Sequence, residues 1–422
     1  MTVISRFYED SGSDDEFTYQ TLPTATACRK LDTHDSLPWL HIEDKQIVDK
    51  ERKPVILRGM NLGGFLVEEM WMMPFETNPP QTDSQFTPIN DHVSLWKTVE
   101  TRFGKENMQR VQNEFRKAWL DDKDFERIQA LGFNSVRLPF LHDLAKEPEG
   151  LYFWLDWTIE KANKHGLYVI LDLHGAPGRQ SKEQHTGQKD CSTLFTDYTK
   201  VQETVQLWTE IAARYKDRSG VAGYDLLNEP MGAHHPSDLY VVYEKIYTAI
   251  RQVDKTHIIF MEDGFKGFTY IPTPAHMGWD NVSFSVHPYA FDKKTEEACF
   301  QKFQENIEEY AKWQTVRNVP LYLGEFNVEP AGDHQTVHKI LSLCEEKGMS
   351  WSFWMYKIVT NHEHRVSMWG LYSAKKSITL INPFVDSMEE FLRKIQNLKT
   401  EHFDENKSLA EVFQRVAKKV SS

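Results

Sequence analysis

The feature that most constrains the fold of this chain is an alternation of eight short apolar runs with amphipathic, helix-like segments. The runs are almost continuously apolar, as strands buried on both faces of a parallel sheet must be. They lie at residues 55–60, 134–138, 168–173, 223–227, 258–261, 282–286, 321–324 and 350–355. Eight strands that alternate with helices predict an α/β fold, a single-domain (β/α)8 TIM barrel.

Helix ends and turns support this organisation. Asp121 and Asp122 can cap a helix that Gly132 would end, and two short runs, at 39–42 and 46–49, predict a small hairpin. A doubly wound open sheet is the alternative, but no Gly-x-Gly-x-x-Gly sequence opens a helix after the first strand. We expect an arm over 1–39, the barrel over 40–385, and helices packed on the barrel over 386–422. Insertions are expected after the first, third and eighth strands, at about 61–95, 175–199 and 357–383.

Polar side chains stand where the predicted strands end, the face at which a parallel barrel carries its active site. Glu229 follows the fourth run and Glu325 follows the seventh. Two carboxylates that face each other there are the minimal equipment for cleaving a glycosidic bond. The other strand-end candidates are Arg137, His174, Asn228, His287, Tyr289 and Trp354.

This set of residues resembles that of glycoside hydrolase family 5, a family of retaining (β/α)8-barrel enzymes, over residues 40–385. The family's recurrent set is an Arg, a His, an Asn-Glu pair, a His-x-Tyr motif, a Glu and a Trp at successive strand ends, and all have counterparts here. The resemblance implies that Glu229 is the acid/base and Glu325 the nucleophile of a double displacement.

The residue types suit that chemistry. A retaining mechanism needs two carboxyl groups about 5–5.5 Å apart, one protonated and one ionised. Arg137 is expected to keep Glu325 ionised, and Tyr289 to donate a hydrogen bond to the same carboxylate. Burial and neighbouring negative charge should raise the pKa of Glu229.

The remaining candidates are expected to bind the sugar. Asn228 suits the 2-hydroxyl, a contact that strengthens in the transition state. His174 and His287 would hold other hydroxyls or tune the carboxylates, and Trp354 offers a flat apolar floor for the pyranose ring.

Residues 58–68 and 174–178 resemble the exo-β-1,3-glucanase branch of the family, which lies near glucosylceramide-cleaving members. The chain departs from that branch at Phe65, where Trp is usual, and over 68–71 and 179–182. We expect exo action on β-1,3-glucan or short β-glucosides, because insertions after the first and third strands would meet and close a groove into a pocket. The alternatives are a glucosylceramide-type β-glucosidase, an endo-β-1,4-glucanase, mannanase or xyloglucanase of the same family, and a non-catalytic carbohydrate-binding barrel.

Charge and composition limit the classes of partner expected for this chain. The formal net charge of -13 argues against a nucleic-acid surface. No run approaches the ~18 apolar residues of a membrane span, and the first residues show no apolar signal-peptide core. We expect a monomer, cytoplasmic unless a leader was removed, whose partner is an oligosaccharide or β-glucoside, with no nucleic acid and no membrane insertion.

Metal and cofactor sites are not expected. The four cysteines are scattered without a Cys-x-x-Cys pair, so they indicate neither a disulfide framework nor a zinc site. His234 and His235 precede Pro236 and have no carboxylate partner at helical spacing. The stretch 362–364 lacks the His-Glu-x-x-His arrangement.

Overall fold

The computed structural model describes residues 37–81, 85–265, 267, 270–359, 368–374 and 378–420. An antiparallel hairpin, β1 (Leu40–Glu43) and β2 (Gln46–Asp49), precedes a closed barrel of eight parallel strands. The barrel strands are β3 (Arg58–Asn61), β4 (Ser135–Leu141), β5 (Tyr168–Gly175), β6 (Val221–Asp225), β7 (Ile258–Glu262), β8 (Val282–Val286), β9 (Leu321–Leu323) and β10 (Ser350–Phe353). The predicted barrel and hairpin are confirmed. The predicted arm lies outside the described residues up to residue 36.

The hairpin covers the N-terminal end of the barrel. Leu40 and Ile47 belong to one buried cluster with Tyr168 and Ile258, the first residues of β5 and β7. The amide of Ile42 also donates to the side chain just before β8, at Asn281 Oδ1 (2.7 Å). Because this end is filled, the opposite end is left for a binding site, as is usual for barrels of this type.

Helices surround the barrel: α1 (His92–Phe103), α2 (Lys105–Trp119), α3 (Asp122–Ala130), α4 (Tyr152–Lys164), α5 (Tyr198–Tyr215), α6 (Pro236–Val253), α7 (Pro274–Met277), α8 (Glu296–Arg317), α9 (His334–Glu346), α10 (Met388–Gln396) and α11 (Lys407–Val420). The predicted ends of α3 are confirmed. Asp121 caps it in a reciprocal arrangement with Asp124, and Gly132 follows at φ +89°, a conformation that favours glycine.

A small sheet beside the barrel was not predicted. It contains β11 (Lys357–Ile358), β12 (Tyr372–Ala374) and β13 (Phe403–Glu405). The stretch 386–422, predicted to contain helices, holds α10 and α11 with β13 between them. Phe413 of α11 packs on Trp351 and Phe353 of β10.

The insertions after β3 and β5 meet at the C-terminal end of the barrel, as predicted. The amide of Val93, at the start of α1, donates to the Gly187 carbonyl (3.0 Å), and the Lys189 amide donates to Asp91 Oδ2 (2.8 Å). Two hydrogen bonds therefore tie one loop to the other over the barrel mouth. Within the described part of the chain, none of the helices is both long and apolar enough to cross a membrane.

Candidate active site

Arg137, on β4, is the centre of the site. Its guanidinium is fully buried. Nη1 donates to Glu325 Oε1 (2.7 Å) and Asn61 Oδ1 (3.2 Å). Nε donates to Asp225 Oδ2 (2.9 Å) and Nη2 to Asn228 Oδ1 (3.0 Å). Since every guanidinium hydrogen is a donor, these contacts fix which oxygens face the arginine.

Glu325, just beyond β9, has a donor at each carboxylate oxygen. Besides the Arg137 contact, Tyr289 Oη donates to Oε2 (2.9 Å). Burial, reinforced by the charge of Glu325, raises the pKa of Tyr289 well above its ordinary value. The phenol therefore stays neutral and acts as a donor. Both predicted contacts of Glu325 are present.

Glu229 is held by its backbone as well as its side chain. It lies beyond β6 at φ +44°, in the left-handed region that is uncommon for a residue other than glycine. Its amide donates to Glu262 Oε2 (2.8 Å). Its Oε1 lies 3.0 Å from His287 Nδ1, and its Oε2 lies 3.4 Å from His185 Nε2. The carboxyl group thus sits between two imidazole rings.

The pKa of Glu229 is raised, mainly by burial. The negative charges of Glu183 and Asp263 add to the effect, whereas His185 and Arg137 oppose it. The direction agrees with the sequence-based prediction. A carboxyl group with a raised pKa keeps its proton at higher pH, as a general acid must.

The two glutamates approach each other across the barrel mouth. One carboxylate oxygen of Glu229, one of Glu325 and one nitrogen of His287 all lie within 4.8 Å of one another. That separation fits the pair of a retaining glycosidase. Burial lowers the pKa of His287 to about 3, so a neutral ring lies between the carboxyl groups. These three groups could also ligand a metal ion, but the guanidinium of Arg137 at 2.7 Å from Glu325 disfavours a second cation.

The predicted sugar-binding residues line the same space. The rings of His174 and Trp354 stack in parallel, with centroids 5.7 Å apart and an interplanar angle of 7°. Asp172 Oδ2 lies 2.6 Å from His174 Nδ1, which fixes the ring. Burial lowers the pKa of His174 to about 3. All eight predicted site residues are therefore near the barrel mouth, and seven of them, all except Arg137, line its cavity.

Glu262, the last residue of β7, was missed by the sequence analysis. It accepts the Glu229 amide, and its Oε1 lies 3.2 Å from His287 Nε2. Burial, with repulsion from Asp225, raises the pKa of Glu262 well above its ordinary value, although Arg137 opposes the shift. The strand-end pattern could have found it, because the predicted strand stopped one residue earlier.

Glu69, in the insertion after β3, was named only as part of a departure from the family pattern. It is buried and faces the cavity. Its Oε2 accepts from Trp71 Nε1 (2.9 Å), and its Oε1 has no hydrogen-bond partner among the described residues. Burial, with the charges of Glu325 and Glu229, raises the pKa of Glu69 to about 8. A protonated carboxyl group is therefore available to a ligand at neutral pH.

The cavity itself has a volume of about 670 Å³ and two unlike walls. The barrel side is polar, and the opposite side is aromatic. Trp71 and Trp369 meet edge to face with centroids 4.9 Å apart, and Tyr289 stacks on Phe291 at 4.9 Å. Trp71 is 40% exposed and Phe291 60% exposed. These aromatic faces are open to a ligand.

His235, one of the histidines considered for a metal site, does not line the cavity, and the sequence analysis overlooked Asp238, a carboxylate three residues after it. His235 precedes α6 as its N-cap residue, and its amide donates to Asp238 Oδ2 (3.0 Å). The stretch 362–364 lies outside the described residues.

Comparison with known proteins identifies the family. The family model "Cellulase (glycosyl hydrolase family 5)" matches residues 96–359, more than half of the chain. The chain therefore belongs to glycosyl hydrolase family 5 and is an O-glycosyl hydrolase, as predicted.

Individual relatives are more distant. A beta-xylosidase of Phanerodontia chrysosporium is 29% identical over 76% of this chain and 71% of its own length. A probable glucan 1,3-beta-glucosidase of Neosartorya fischeri is 33% identical over 50% of each chain, so the match spans about half of that relative. An endoglucanase of Thermotoga maritima superposes with a TM-score of 0.52 at 20% identity, covering 84% of this chain and 96% of that one. This last likeness is one of fold.

Proposed function

We propose that this protein is a retaining, exo-acting β-glucosidase of oligosaccharides or short β-glucosides, with Glu325 as nucleophile and Glu229 as acid/base. The observation that carries the proposal is the asymmetry of two neighbouring carboxyl groups. Glu325 is bound by a cation and a phenol, and Glu229, whose side chain is 15% exposed, lies between neutral imidazoles. One group suits attack and the other suits proton transfer.

The reaction follows from that asymmetry. Glu325 attacks the anomeric carbon while Glu229 gives its proton to the leaving oxygen, which yields a glycosyl-enzyme and a free aglycone. In the second step, the oxygen of a water molecule attacks the anomeric carbon while Glu229, now ionised, takes a proton from that water. The bond between the anomeric carbon and Glu325 breaks, and the sugar is released. Arg137 and Tyr289 stabilise the carboxylate as it leaves.

The sugar that is cleaved would lie against the polar wall. Trp354 provides an apolar face, and Asn228 faces the expected position of the 2-hydroxyl. The unpartnered Oε1 of the buried Glu69 is positioned to bond a further hydroxyl. A buried polar atom without a partner is costly, and a substrate hydroxyl would relieve that cost.

Exo action is supported by the loops. The insertions after β3 and β5, which bring Glu69 and His185 to the cavity, are hydrogen-bonded to each other at 91–93 and 187–189. Two relatives are named a beta-xylosidase and a probable glucan 1,3-beta-glucosidase. Glucose and xylose differ at C6, so both sugars belong in the test.

An apolar aglycone is the second candidate, as in a glucosylceramide-type β-glucosidase. The observation that favours it is the partly exposed aromatic wall formed by Trp71, Phe265 and Phe291. Aromatic faces bind the apolar face of a sugar or an alkyl chain equally well. The two candidates share the catalytic pair and differ in the aglycone.

A substrate panel tests the proposal. Laminarin, cello-oligosaccharides, mannan, aryl β-glucosides, aryl β-xylosides and glucosylceramide would be compared with the wild type and Glu325→Gln. We expect glucose release with little loss of glucan viscosity, the β anomer first in proton NMR, and no turnover by the variant. Near-wild-type turnover by Glu325→Gln, or the α anomer first, would refute the mechanism. A rapid viscosity drop with little free glucose would refute exo action.

A further inference from the structure

A chain of hydrogen bonds leads from the centre of the site to a histidine that the mechanism above does not use. Arg137 Nη2 donates to Asn228 Oδ1 (3.0 Å), so the amide nitrogen of Asn228 must point the other way. That nitrogen lies 3.1 Å from His185 Nδ1 and 3.4 Å from His174 Nε2. The nitrogen therefore lies within hydrogen-bond distance of both imidazoles.

The orientation of Asn228 determines the tautomer of His185. Since Nδ1 accepts a hydrogen bond, a neutral His185 carries its proton on Nε2. Nε2 lies 3.4 Å from Glu229 Oε2 and 3.5 Å from Ser181 Oγ. The Nε2–H group thus lies beside the carboxyl group of the acid/base, in a contact that is not aligned as a hydrogen bond in this structure. Contacts of this length in an unliganded site commonly tighten when substrate binds.

We propose that His185 is a positioning residue for the acid/base, which holds the Glu229 carboxyl group in place by donating a hydrogen bond from Nε2. The inference rests on the proposed function, because it assumes that Glu229 transfers the proton. It explains why this polar ring, on the short helical turn Gln184–Thr186, reaches into the barrel mouth from a loop.

The anchoring of that loop supports the role. The turn is followed at once by Gly187, whose carbonyl accepts from the Val93 amide, and the Lys189 amide is bonded to Asp91. Both ends of the contact therefore belong to ordered parts of the fold. A side chain that positions a catalytic group has to be held in this way.

The ring is neutral under ordinary conditions. Burial lowers the pKa of His185 to about 4, and the charge of Glu229 only partly opposes the shift. The other titratable or charged groups that act on His185 or on Glu229 are Arg137, His174, Glu183, Asp263 and His287. A neutral donor stabilises the ionised form of a carboxyl group, so His185 holds down the pKa of Glu229 against the effect of burial.

Three variants separate this role from simple packing. His185→Ala and His185→Asn remove the donor at the Nε2 position, and His185→Gln restores an N–H near it. The pH dependence of kcat/KM would be measured on phenyl β-glucoside, which needs an acid, and on 2,4-dinitrophenyl β-glucoside, which does not. Circular dichroism and thermal melting would check the fold of each variant.

For the Ala and Asn variants, loss of the donor should raise the pKa of Glu229. We therefore expect the alkaline limb of the kcat/KM profile on phenyl β-glucoside to move up by about half to one pH unit. We expect roughly tenfold lower kcat/KM on that substrate and a smaller loss on the dinitrophenyl substrate. The Gln variant should keep the wild-type limb. An unmoved limb in folded His185→Asn, or equal losses on both substrates, would overturn the inference.

A companion measurement separates this inference from the proposed function. Azide should accelerate turnover of the dinitrophenyl substrate by Glu229→Ala if Glu229 is the acid/base. No rescue by azide would refute the proposed function itself. Rescue by azide, together with wild-type pH profiles in the His185 variants, would refute only the role of His185.

Discussion

Replacing Tyr289 by Phe tests the proposed nucleophile without altering its charge. The variant loses one hydrogen bond, from Tyr289 Oη to Glu325 Oε2 (2.9 Å), whereas Arg137 keeps its contact with Oε1. The ring remains and can still stack on Phe291. We therefore expect an intact fold and a Glu325 carboxyl group that has lost one hydrogen-bond donor.

The variant should lose rate mainly in the second chemical step, the hydrolysis of the glycosyl-enzyme. Glu325 leaves as a carboxylate when water attacks the glycosyl-enzyme, so a donor to that carboxylate stabilises this transition state. A hydrogen bond to a charged group contributes about 1.5–3 kcal/mol, which corresponds to a rate loss of about 10- to 160-fold. In the first step the charge on Glu325 decreases, so kcat/KM should fall less than kcat.

Stopped-flow kinetics with 2,4-dinitrophenyl β-glucoside would measure the two steps separately. The variant should show a burst of dinitrophenol, a low KM, and a glycosyl-enzyme detectable by intact mass spectrometry. Tyr224→Phe is the matched control, because it removes a similar buried hydrogen bond, to Asp254 (2.7 Å), away from the cavity. Equal losses of kcat and kcat/KM without a burst would contradict the reasoning, and so would the same behaviour in the control.

Two further outcomes are expected. Glu229→Ala should retain formation of the glycosyl-enzyme from activated substrates, and external azide should yield the β-glycosyl azide; equal losses on activated and unactivated substrates would argue against its role. Burial raises the pKa of Asp172 to about 7, although Arg137 opposes the shift. Above its unfolded pKa of about 3.9, the unfolded chain loses this proton while the folded protein keeps it, so stability falls as pH rises toward 7. Urea unfolding would measure the free energy of unfolding of the wild type and of Asp172→Asn from pH 4 to pH 8. Over this range the stability of the variant should fall less than that of the wild type, by up to roughly 4 kcal/mol, and an equal fall in both would contradict the shift.

The barrel could be predicted because its strands are buried on both faces and so leave long apolar runs in the sequence. The ends of the strands were harder to predict. The second predicted strand stopped before Pro139, but β4 continues to Leu141. The neighbouring strand β3 ends opposite Arg137, so β4 has no strand partner among the described residues on that side at Pro139. Proline, which lacks an N–H group, is tolerated at such an edge. Strand β13 has three residues, too few for a periodic pattern.

The candidate site could be predicted where residues follow strands. Strand ends converge in space whatever the loops do, so Glu229 and Glu325 could be assigned to one place from the sequence. Glu69 and His185 lie on insertions, and the path of an insertion depends on contacts with distant segments such as 91–93. Local sequence does not determine that path, so neither residue could be assigned to the site.

The position of one arginine accounts for the difference between the two glutamates. Nitrogens of Arg137 lie 2.7 Å from Glu325, 2.9 Å from Asp225, 3.1 Å from Asp172 and 3.4 Å from Glu262. The pKa values of the last three carboxyl groups are raised by burial, although Arg137 opposes each shift. Of the four carboxyl groups, Glu325 lies closest to the cation. Glu229 is contacted instead by neutral rings, and it keeps the proton that the first step requires.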